Sequence, residues 1–184
     1  MSLEWISTYA CEALAPVDYS PCLSLTTCYA PVAGSNLSMN QALKFIEGGA
    51  EFYSQLRFLT GLEEIRAAGF SELDLTYNVN LRRLTIWNTD EGAVVNLSTL
   101  SNLEFLDIAS YANIKELDIS KNLNLTSFTT NACPNLKTLY VAEGQEIEGI
   151  TVNRSEEKIH PDTQIIVRPA TGGGEGSTET PEEP

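Results

Sequence analysis

Residues Ile114 to Val141 read IKELDISKNLNLTSFTTNACPNLKTLYV, and one phrase recurs through them. An apolar residue, two others, an apolar residue, one other and usually a further apolar residue follow in that order. The phrase opens at Ile114, Leu125 and Leu136, once every eleven residues. Alternation over six residues is the pattern of a short strand with one buried face, and Thr, Ile, Val, Phe and Tyr within it favour the same conformation.

Working outward, the phrase runs in two interleaved series. Leu81 opens LRRLTI, Leu103 opens LEFLDI, Leu125 opens LTSFTT and Ile147 opens IEGITV, at intervals of 22 residues. Phe70 opens FSELDL, Gly92 opens GAVVNL, Ile114 opens IKELDI and Leu136 opens LKTLYV, again 22 apart. A helix does not suit this period, because one coil of 22 holds two strand phrases and the turns use the remainder. A single coil cannot bury its own apolar face, whereas stacked coils form a continuous hydrophobic ladder. Upstream, LEEIRA at Leu62 stands about three residues too close, as expected of an irregular terminal coil.

Turn residues recur in step with the apolar ones. Asn80, Asn102, Asn124 and Glu146 precede the first series, and Gly69, Glu91, Asn113 and Asn135 the second. Asn suits tight turns because its amide bonds to nearby main chain. Asn78, Asn122 and Gly144 form a further column, for which a positive φ is the expected cause.

On these residues the chain resembles a leucine-rich-repeat protein. LRRLTIWNTDEG and LTSFTTNACPNL follow the pattern L-x-x-L-x-L-x-x-N/C-x-L, and the 22-residue period is similar to the internalin-like class. LDISKNLNLTSF and NLKTLYVAEGQ resemble surface repeat proteins of Bacteroidetes bacteria. The resemblance covers roughly Leu59 to Val167; Gly92 and Thr130 depart from it where an apolar residue is expected. It implies an α/β-type repeat solenoid, a short right-handed coil dominated by parallel strands, with the LRRLTI series on the concave side. It also implies protein recognition.

The flanks give the rest of the organisation. Residues 1–34, broken by Pro16, Pro21 and Pro31, read as an irregular lead-in. Residues 35–58 read as a helical cap, with Ser35 or Ser38 as N-cap and a Gly-Gly stop at Gly48. Repeats follow over 59–153 in about four to five coils, then a closing strand within 154–169. Residues 170–184, ATGGGEGSTETPEEP, are expected to form a disordered acidic tail, since they offer almost nothing apolar to bury.

The balance of 25 acidic and 11 basic residues gives a net charge of −14, which repels phosphate backbones and anionic lipid. Nucleic acid and direct membrane insertion are therefore not expected. The opening MSLEWISTYACEALAP lacks a basic region and an apolar run. Either the chain is cytosolic or an export signal or lipid anchor has been lost; the resemblance implies an extracellular or cell-surface location. Cys11, Cys22, Cys28 and Cys133 leave the pairing open, although Cys22 and Cys28 are spaced to close a small loop.

Catalytic signals are weak. GGGEG at 172–176 lacks the Lys, strand and helix of a phosphate loop, and His160, the one histidine, reads as a solvated surface residue. Asp74, Asn96 and Asp118 share a column, where a solvated ladder is favoured over a calcium site. No catalytic residue, cofactor or metal is expected. What stands out is the outward face of the LRRLTI series. Glu64, Arg83, Phe105, Ser127 and Gly149 form one column; Arg66, Thr85, Asp107, Thr129 and Thr151 the next; Ala68, Trp87, Ala109, Asn131 and Asn153 the third. Arg83, Trp87, Phe105, Asp107 and Tyr111 thus form the candidate contact patch for a protein partner, since aromatic and Arg side chains are the usual anchors of interfaces. A structural spacer without a ligand, and a sugar-binding surface, are the alternatives.

Overall fold

The computed structural model describes residues 3–9, 15–87, 93–110, 114–147 and 162–169. Its strands in chain order are β1 (Trp5–Ser7), β2 (Thr27–Tyr29), β3 (Phe45–Gly48), β4 (Glu64–Ala68), β5 (Glu72–Leu73) and β6 (Arg83–Trp87). They continue with β7 (Val94–Val95), β8 (Phe105–Ala109), β9 (Glu116–Asp118), β10 (Ser127–Asn131), β11 (Thr138–Ala142) and β12 (Gln164–Arg168). One 3₁₀ helix, η1, spans Ala50–Phe58.

Among the described residues the phrases of both series form strands, and each series forms its own row; the phrase IEGITV lies outside the described residues beyond Ile147. A seven-stranded sheet runs in the order β1-β2-β3-β4-β6-β8-β10, every neighbouring pair parallel. The other series gives the pair β5-β7 and the three-stranded sheet β12-β11-β9. The register of the large sheet aligns Ile6, Cys28, Ile46, Ile65, Leu84, Leu106 and Phe128 in one inward ladder. From Cys28 to Phe128 these residues are fully buried. Leu73, Leu117 and Leu139 bury the inner side of the opposite row. Each such side chain contributes on the order of 1.5–3 kcal/mol by leaving water, and each strand needs both neighbours to achieve it. The fold is a parallel-strand leucine-rich-repeat solenoid.

Three expectations are corrected. The segment 1–34 is not an irregular lead-in: it contains β1 and β2, which pair with each other and with β3. The run SNLSMNQALKFIEGG is not a helix, for Phe45–Gly48 is β3 and Ser35 Oγ accepts a hydrogen bond from Val17 N rather than capping a helix. The only helical piece of 35–58 is η1, which turns Phe52 and Leu56 into the core. The physical reason is coil length. Register partners lie 22 residues apart from Trp5 to Thr27, but 18 from Thr27 to Phe45 and 19 from Phe45 to Glu64 and from Glu64 to Arg83. They return to 22 at Phe105 and Ser127. In β3 the spacing from Leu43 to Ile46 fits one helical turn and also the strand phrase, and pairing on both sides decides for strand. The stack is therefore longer than four to five coils, with seven strands in its main sheet.

The asparagine column holds the stack together differently from expectation. Asn78 and Asn122 are fully buried, and neither has the positive φ that Gly144 does, at 73°. Asn78 Nδ2 donates to the carbonyls of Leu56 and Leu59, at 3.1 and 3.0 Å. Asn122 Nδ2 donates to those of Leu97 and Leu100, both at 2.9 Å. Asn40 does the same to Tyr19 and Cys22, and Gln145 to Ile119 and Asn122. Each amide spans from one coil to the turn of the coil before it. Asn80, Asn102 and Asn124 repeat the device at the surface, reaching Thr60, Val79 and Ser101. Left-handed backbone appears where the chain leaves the sheet, at Ala30, Gly69, Ser110 and Ala132.

Cys22 and Cys28 are both free thiols, so no Cys22–Cys28 loop is closed. Burial pushes the Cys28 thiol up to about 12, and in the ladder it acts as a small apolar residue. In the closing segment, β12 adds in parallel to β11. Cys11, Tyr111, His160 and the tail 170–184 lie outside the described residues.

Candidate functional site

On the outer face of the seven-stranded sheet, register fixes which side chains meet. Trp5, Thr27, Phe45, Glu64, Arg83, Phe105 and Ser127 form one column, and Ser7, Tyr29, Glu47, Arg66, Thr85, Asp107 and Thr129 the next. Ala68, Trp87, Ala109 and Asn131 form the third. These are the columns expected from the spacing over β4 to β10.

The structure brings Arg83 and Phe105 into contact, the guanidinium carbon lying 4.3 Å from the ring centroid. That geometry is a cation–π contact. Arg83 Nε also lies 3.6 Å from Glu64 Oε2. Trp87 stands at the far end of the same strand, with Ala68 and Ala109 as its register partners, so its ring is half-buried between small neighbours. No ring contact joins Trp87 to Phe105; the strand separates their columns by about 13 Å. Between them, Asp107 Oδ1 accepts a hydrogen bond from Thr129 Oγ1 at 2.6 Å. Arg83, Phe105, Asp107 and Trp87 therefore share one face as three separate features, and Tyr111 lies outside the described residues.

An aromatic group that the sequence reading missed lies on the first coils of the same face. Tyr29 has its ring centroid 6.1 Å from Trp5, 6.0 Å from Tyr9 and 4.7 Å from Phe45. Arg66 lies over Phe45 at 5.3 Å and bridges Glu64 and Glu47 at 2.9 and 3.3 Å. Burial works against the Arg66 charge, but Glu64 and Glu47 outweigh it and raise the guanidinium above its ordinary range. The signal was present: Leu-x-x-Ile or Leu-x-x-Cys opens at Leu3, Leu25 and Leu43, as LEWI, LTTC and LKFI. A fixed period of 22 passes over it because two of these coils are shorter.

Two further features are structural. A polar groove along the strand entrances is lined by Lys44, Glu63, Arg82, Glu104 and the surface asparagines. Its cations are already paired, Lys44 with Glu63 at 2.8 Å and Arg82 with Glu104 at 2.6 Å, and exposed pairs of this kind contribute little. The column Asp74, Asn96 and Asp118 closes turns: each side-chain oxygen accepts the backbone N–H two residues on, at Thr76, Ser98 and Ser120. Asp18 and Asn36 extend that column into the first coils. Among the described residues no group of His, Cys, Asp and Glu is arranged to hold a metal ion.

Fold and face together define a parallel-strand leucine-rich-repeat solenoid with mixed aromatic and charged residues on the outer side of its main sheet. The functional domain of InlJ from Listeria monocytogenes, described as including a cysteine ladder, is similar at 16% identity and a TM-score of 0.54, over 73% of this chain and 36% of that one. An internalin, InlF, from Listeria monocytogenes strain 4b F2365 matches at 18% identity and a TM-score of 0.42, over 85% of this chain and 57% of that one. The chain thus spans about a third and a little over half of these two proteins. No protein-family model matches the sequence, and no curated protein matches it either. In this chain Cys28 stands in a column of Ile, Leu and Phe, with no second cysteine in register.

Proposed function

We propose that the chain is a protein-recognition module without catalysis of its own, carried by an exported, surface-associated bacterial protein, and that it binds through the outer face of the seven-stranded sheet. The observation that carries this reading is the Arg83–Phe105 stack on the same rigid face as Trp87. Arg and aromatic rings held in fixed positions bury much area at little entropic cost, which is what interface anchors require. Surface location rests on the resemblance of LDISKNLNLTSF to bacterial surface repeats.

The test is partner capture by immobilised protein from host and bacterial surface extracts, wild type beside a Trp87→Ala, Phe105→Ala variant. A true anchor is worth roughly 2 kcal/mol or more, about thirtyfold in affinity. Neither side chain reaches the inward ladder, so the variant stays folded, which circular dichroism checks. A partner retained within a few-fold by the variant refutes the patch, and capture of nothing by either folded protein favours a spacer.

A further inference from the structure

On the outer face, each arginine of β4 and β6 stacks on an aromatic ring of a neighbouring coil. Arg66 covers Phe45 and Arg83 covers Phe105. The pattern stops in the first coils. No Lys or Arg precedes Lys44 in the sequence, whereas Glu4, Glu12 and Asp18 do. Trp5 and Tyr9 are 58% and 53% exposed, both leaning on Tyr29. Among the described residues no guanidinium lies over Trp5, Tyr9 or Tyr29. Trp5 and Tyr9, each packed against Tyr29, thus stand largely exposed in a stretch of sequence that carries acidic residues and no Lys or Arg.

We propose that this end of the sheet binds an arginine-bearing segment of a protein partner, its guanidinium stacking on Trp5 and Tyr9 as Arg66 and Arg83 stack on their rings. The inference rests on the outer face being a recognition surface and adds the chemistry of the partner. The negative face of an aromatic ring attracts a cation, and a planar, weakly hydrated guanidinium stacks better than an ammonium. A net charge of −14 steers a basic segment toward the chain. Because no Lys or Arg occurs in the first 43 residues, no nearby basic side chain of the same stretch competes for these rings.

The test is calorimetric titration of the full chain, at physiological ionic strength, with a short oligo-arginine peptide and an oligo-lysine peptide of the same length. Wild type binds the arginine peptide several-fold more tightly. Trp5→Ala and Tyr9→Ala each weaken that binding by about fivefold, Trp5→Phe keeps most of it, and Tyr77→Ala, another exposed ring, changes nothing. Both ring substitutions remove largely exposed side chains, and circular dichroism confirms the fold. Equal affinity for both peptides, insensitive to Trp5 and Tyr9, reveals net charge alone and overturns the proposal. So does no binding of either peptide, or binding of a neutral oligosaccharide in their place. If natural partner capture depends on Trp87 and Phe105 but not on Trp5 and Tyr9, recognition by the outer face stands and this inference falls.

Discussion

Replacing Asn78 by alanine removes two hydrogen bonds that join one coil to the turn of the coil before it. At about 1 kcal/mol net for each bond the loss is roughly 2 kcal/mol. It goes no higher because neither carbonyl is orphaned: Leu56 O still accepts Leu59 N at 3.0 Å, and Leu59 O still accepts Leu62 N at 3.2 Å. Asn78 Oδ1 is buried without a partner, so its removal returns part of a desolvation cost, while the small void left by truncation acts the other way. Leu100 occupies the same position one coil on and is fully buried, which shows that the site accepts a leucine side chain by shape. Asn78→Leu should therefore cost less than Asn78→Ala. Asn78→Asp should be the worst of the series near neutral pH, since it places a carboxylate against carbonyl oxygens with no donor between them. Urea unfolding followed by circular dichroism measures the series, with a constant slope m showing that the coils unfold together. If alanine costs less than about 0.5 kcal/mol, a neutral surface value, the amide bonds are not what ties the coils. If leucine costs more than alanine, shape rather than hydrogen bonding rules the position.

Three other outcomes follow from the same structure. A Cβ on Gly61 would stand 2.6 Å from Gln41 O, a backbone atom of the preceding coil, so Gly61→Ala should destabilise by roughly 1–3 kcal/mol in the same urea assay. The hydrogen bonds of Thr76 to Asp74, from its side chain and its backbone, hold that carboxyl below its ordinary value of 3.8. A lowered folded pKa gives stability that is present above the unfolded value and lost as pH falls below it; the melting temperature of wild type should therefore drop more than that of Asp74→Asn between pH 5 and about pH 3. Cys28, buried and pushed up to about 12, should resist a thiol reagent near neutral pH while half-buried Cys22 reacts first, and urea should abolish the difference. Fast native labelling of Cys28 would mean that β2 opens readily.

The sequence by itself determined the repeat unit and its two faces. From Phe70 onward, apolar residues at fixed intervals placed Leu84, Leu106 and Phe128 in one ladder and Arg83, Phe105 and Trp87 outside it, because side chains alternate along a strand whatever lies around it. It also marked the asparagine columns, although their work was misread: Asn78 and Asn122 bond across coils instead of adopting a positive φ, and the acceptors that decide this lie 19 to 25 residues away in the chain. Tertiary structure alone decided the first coils. LEWI, LTTC and LKFI are each too short to choose strand over turn or helix, and their spacings of 22 and 18 share no single period. Only pairing with β4, whose own edge would otherwise lie open, commits them to the sheet and brings Trp5, Tyr9, Tyr29 and Phe45 together. A local pattern fixes which way a side chain points; which residues it meets depends on how many residues the chain spends before it returns.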